Sequence, residues 1–92
     1  MNNKFKKIYR IIEKQFFDIN HCENELWRII FNNLLVTYKW TDREKLIRMR
    51  YIEHKSVTNI CMDIPISNRT YSNWRKEILN RAYDWAKEFK IM

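Results

Sequence analysis

The chain has 92 residues and a net charge of +7, from 18 Lys and Arg against 11 Asp and Glu. That length fits one domain with a thin core and no separate cofactor domain, and a 46% hydrophobic share excludes a solvated tail. Cys22 and Cys61 form no C-x-x-C pair, and no apolar run approaches a membrane span, so a soluble protein of a reducing cytoplasm is expected.

Glycine is absent, which disfavours tight hairpins. Helical spacing recurs throughout, and the sequence predicts an all-α fold of about five helices. Residues 4–19 set Phe5, Ile8, Tyr9, Ile12, Phe16 and Ile19 on one helical face. Asn20 and Glu23 read as a capping box that opens a second helix reaching about Tyr38. In that helix Trp27, Phe31 and Leu35 exceed a single buried face, so residues 1–40 form a helical pair with a candidate homodimer surface. The same surplus also fits the core of a compact five-helix monomer. Thr41 and Glu44 make a second box, opening a helix over 42–54 with Leu46, Ile47, Met49, Tyr51 and Ile52 as its apolar residues. Ser56 can cap a short helix over 57–63 with Ile60, Cys61 and Ile64 facing inward, and Pro65 ends it. Ser67 caps the last helix, in which Tyr71, Trp74, Ile78, Ala82, Trp85 and Phe89 repeat at steps of three and four. A helix of about 22 residues spans roughly 33 Å. The whole chain, 1–92, reads as a single domain: N-terminal helices over 1–40 and a helix-turn-helix region over 41–92.

Residues 55–79 hold the functional signal. A short helix, a turn of three or four residues and a capped second helix have helix-turn-helix spacing, in which the second helix offers its first turns to the major groove. The outward face there is Asn68, Arg69, Ser72, Asn73, Arg75 and Lys76, with no acid before Glu77. Asn can pair with adenine and Arg with guanine, while Ser and Lys suit the backbone. Ser67 caps the helix and its hydroxyl can touch a phosphate. Arg75 and Arg81 lie nearer the edge, suited to phosphate contact or to solvent, and Lys55 and Arg50 can clamp phosphates beside the turn. The net positive charge agrees with a nucleic-acid partner. His21 and His54 lack partners at metal-ligand spacing, Glu53 and Asp63 are isolated acids, and no glycine-rich phosphate loop exists. The expectation is a non-enzymatic protein without cofactor or metal.

On those residues, 42–82 resemble the fourth region of bacterial sigma factors, whose pattern is s-x-x-E-I-A-x-x-L-g-I-S-x-x-T-V. Ser56, Asn59, Ile60, Cys61, Ile64, Ile66, Ser67, Thr70 and Tyr71 occupy its positions. The chain is more similar to small sigma-like regulators from phages of Gram-positive bacteria, the RinA and ArpU type. Cys61 to Thr70 echo their C-x-D-I-x-I-S-x-R-T phrase, and Lys76 to Ala82 echo K-x-I-L-x-x-A. Pro65 stands where many such turns have glycine, and Asn59 replaces the usual Glu. The resemblance implies promoter binding and activation of phage or prophage genes in a bacterial host, with duplex DNA and RNA polymerase as partners; the lack of a long apolar run argues against a membrane. Three other readings stay open: a helix-turn-helix reused to hold a polymerase, repressor or host factor, a small-terminase-like binder of packaging DNA, and a minor sigma factor, for which 92 residues leave little room.

Overall fold

A computed structural model describes residues 3–92, with side chains from Phe5 onward. The architecture is all-α: α1 (Asn3–Phe17), a 3-10 turn (Ile19–His21), α2 (Glu25–Thr37), α3 (Asp42–Ile47) continuing as a π-helical turn (Arg48–Ile52), α4 (Val57–Asp63) and α5 (Asn68–Glu88). Among the described residues no helix is long and apolar enough to cross a membrane.

α5 is the spine. Ile78, Leu79, Ala82 and Ala86 are buried on its inner face, and it packs against both α1 and α2. The two alanines let neighbouring helices approach closely where a larger side chain would hold them apart. α1 runs antiparallel to α5: the Tyr9 hydroxyl donates to Asn80 Oδ1, and Arg75 pairs with Glu13 of α1. On the other flank the Tyr38 hydroxyl, at the end of α2, donates to Glu77 Oε2 at 3.0 Å and accepts from Arg81 Nε at 3.3 Å. An aromatic knot fills the centre. Phe16 meets Phe31 edge-on at 5.1 Å and Tyr51 at 5.4 Å between ring centroids, with Trp27 at 6.4 Å. Such pairs add about 0.5–1.5 kcal/mol each beyond the area they bury.

The structure departs from the sequence expectations at several points. α2 starts at Glu25, capped by Asn24, whose side chain accepts from the Leu26 amide at 3.0 Å. Asn20 falls inside the 3-10 turn, because burying Ile19 and Cys22 keeps the chain folded back for four more residues before the helix can open. At α3 the expected reciprocal box does not close. The Thr41 hydroxyl donates to the Tyr38 carbonyl, and Glu44 Oε1 accepts from the Trp40 amide at 3.2 Å, so the two side chains tie the α2–α3 turn instead. The helix expected to reach residue 54 ends at Ile52 in a wider turn, with Glu53 N–H bonded to the Arg48 carbonyl. That slower winding keeps Tyr51 inside and turns Ile52 outward, 40% exposed. Trp27 and Phe31, expected to offer a dimer surface, are buried core residues, and Leu35 is partly buried against them. Lack of glycine does not remove the need for positive φ: Trp40, His54 and Lys90 take it at 69°, 58° and 60° where helices end.

Candidate nucleic-acid interface

The candidate site is built by α4, the turn after it and the first turns of α5. Ser56 Oγ accepts from the Asn59 amide at 3.2 Å and Ser67 Oγ from the Thr70 amide at 3.1 Å, so both helices carry the caps their sequence promises. Ile64, held extended by the following Pro65, interrupts the helix, and its side chain is buried with Ile60 and Tyr71. These three side chains fix how α5 leaves the turn. Cys61 sits partly buried beside them.

α5 then carries Asn68, Arg69, Ser72 and Asn73 exposed on its first two turns, with Ser67 exposed at the cap. Five sequence-predicted residues therefore share one solvent-facing surface at the helix N-terminus, where backbone N–H groups and the helix dipole favour an anion. Lys76 lies one turn further on and is partly covered.

Two predicted site residues are placed differently. Arg75 turns inward to α1, where its Nε donates to Glu13 Oε2 at 3.1 Å, its Nη2 pairs with Glu13 Oε1, and its guanidinium lies 5.7 Å from the Tyr9 ring centre. The hydrogen bond to Glu13 raises the Arg75 pKa above its ordinary value. Its position on α5, between the core stripe and the outer face, puts it within reach of a carboxylate 62 residues earlier. Lys55 sits between Asp63 at 3.3 Å and Glu53 at 3.5 Å, and the bond to Asp63 holds its pKa above the usual lysine value. That clamp closes the base of α4, so Lys55 is partnered rather than a free cation. Arg50 donates to the Lys55 carbonyl at 2.9 Å and lies over Phe17. Arg81 is engaged with Tyr38, on the α2 flank.

Beside Lys76 opens a groove of about 610 Å³ between α1 and α5, lined by Lys6, Arg10, Lys14, Tyr9 and Phe17 among others. The three α1 cations fall at four-residue steps, a spacing legible in the sequence but far outside the 55–79 stretch that carries the motif.

A short capped helix, a tight turn and a long helix with a polar outer face complete an all-α fold of five helices among the described residues. A family model described as a protein of unknown function (DUF1492) matches residues 8–82, and the chain belongs to that family. No curated protein and no solved structure matches it.

Proposed function

We propose that this protein is a sequence-specific, non-enzymatic binder of double-stranded DNA that regulates transcription, acting as an activator of phage or prophage genes. The observation that carries the reading is the exposed face of α5: Asn68, Arg69, Ser72 and Asn73 stand outward on a helix N-terminus set off by a tight turn. In this reading α5 enters the major groove by its N-terminal turns, Asn73 and Arg69 pair with base edges, and Ser67 and Ser72 meet phosphate oxygens. The net charge of +7 supplies the attraction to phosphate. One such helix reads only a few base pairs, so a second copy or RNA polymerase beside it completes the site.

Arg69→Ala and Asn73→Ala test the assignment. Each is expected to weaken binding to a preferred duplex by about 1–3 kcal/mol and relax the preference at one position. Parent-like binding of both variants would overturn it.

A second reading, the same fold holding a protein, is favoured by Val36 and Trp40, which are 71% and 86% exposed at the end of α2. Its mark would be binding to isolated polymerase subunits that Trp40→Ala abolishes, together with duplex binding indifferent to Arg69 and Asn73.

A further inference from the structure

The groove between α1 and α5 is not used by the base-reading face, and its charge is the property to explain. Lys6, Arg10 and Lys14 are all exposed and stack as one row along α1. Like charges four residues apart oppose helix formation, so the row disfavours the fold it sits on. Two acids also line the groove: Glu13 has its oxygens engaged by Arg75 and Tyr51, and Asp18, exposed just beyond the end of α1, offsets only one charge of the row. Lys76 faces the row from α5, one turn past Ser72, and Tyr9 and Phe17 give the groove an apolar floor along which lysine stems can lie.

α1 lies antiparallel beside α5, tied to it at Tyr9–Asn80 and Glu13–Arg75. Packed helices are about 8–10 Å apart, while the DNA major groove is about 12 Å wide. A helix beside the one in the groove therefore overlies a flanking sugar-phosphate strand. We propose that Lys6, Arg10 and Lys14, with Lys76, form a clamp on that strand, carrying affinity and register but no sequence information. The inference rests on the DNA-binding reading above and adds a second element to its footprint.

The test measures binding of the full chain to a preferred duplex and to a random-sequence duplex across a range of salt concentrations. The parent is compared with the triple variant Lys6→Ala, Arg10→Ala, Lys14→Ala and with the charge-preserving double variant Lys6→Arg, Lys14→Arg. Three lost phosphate contacts should flatten the slope of log K against log salt by about 2.7, at about 0.9 per contact. Affinity for both duplexes should fall together, the preferred sequence should not change, and the charge-preserving variant should behave as the parent. Arg10→Gln alone, expected to flatten the slope by about 0.9, repeats the test on a minimally altered helix. A triple variant with the parent's slope would overturn the clamp and leave the α5 assignment standing, as would a loss confined to the preferred duplex. A parent that binds neither duplex would overturn the DNA reading and the clamp with it.

Discussion

Glu13 is the residue on which a partly buried polar network depends. Its Oε2 accepts from the Tyr51 hydroxyl at 2.6 Å and from Arg75 Nε at 3.1 Å, joining α1 to the π-helical turn and to α5. Tyr51 is 1% exposed, so Glu13→Ala would leave a buried hydroxyl and a half-buried guanidinium without their acceptor. The expected loss is about 2–3 kcal/mol by urea denaturation, with Glu13→Gln milder because it keeps an acceptor. The same site sets a pH dependence. Burial first, and the Glu13 carboxylate second, push the Tyr51 phenol well above its usual value, and burial raises Tyr38 and Tyr71 as well. A raised folded-state value stabilises fully below the unfolded pKa of about 10, and that contribution declines as pH rises above it. Melting temperature should therefore fall above about pH 10, and Tyr51→Phe should flatten the fall. A melting temperature indifferent to alkali would contradict a buried, protonated Tyr51. None of this network is legible in the sequence. Its members lie 38 and 62 positions apart, and helical spacing reports only neighbours three and four residues away.

Among the elements, α5 both closes the core and displays the outer face, so its ends bear on stability and function together. Ser67→Ala removes the acceptor for the Thr70 amide and should cost about 1 kcal/mol, with faster amide exchange in the first turn of α5. At the other end Ile91 N–H bonds to the Ala86 carbonyl and Lys90 N–H to the Lys87 carbonyl, a Schellman ending with Lys90 at positive φ. Lys90→Gly should stabilise the protein by about 0.5–1 kcal/mol, read as a higher urea midpoint, because glycine meets no Cβ clash there. The boundaries of α4 and the start of α5 are readable from sequence because caps and proline act within three residues of themselves. The start of α2 is not, since Asn20 and Asn24 are equally good caps. Burial of Ile19 and Cys22 in the core decides between them. Ile52 escapes for a related reason: the outward rotation comes from a π turn that a fixed helical period does not contain. Arg75 and Lys55 carry the right charge at the right spacing, but carboxylates from α1, from the cap of the π-helical turn and from the end of α4 hold them.

For the whole molecule, the all-α class and five helices follow from periodicity, whereas Trp27 and Phe31 lie in the core and not on an outer surface. A single α2 stripe broader than one face is satisfied here by α1, α3 and α5 closing around it. Ile30, at 0% exposure, lies within that enclosure, and Ile30→Ala should cost about 2–5 kcal/mol and lower the urea midpoint accordingly. Among the surfaces left outside are a polar α5 face beside a basic groove, and an apolar end of α2 at Val36 and Trp40. In the proposed reading the first meets duplex DNA and the second receives a protein partner. Everything proposed for function turns on the α5 face reading base sequence, and selection of bound duplexes from a random pool at near-physiological salt asks that question of the protein itself. The expected outcome is enrichment of a defined half-site, alone or as an inverted repeat, that Asn73→Ala and Arg69→Ala broaden at single positions. Recovery of a pool with no enriched sequence would contradict sequence reading by α5.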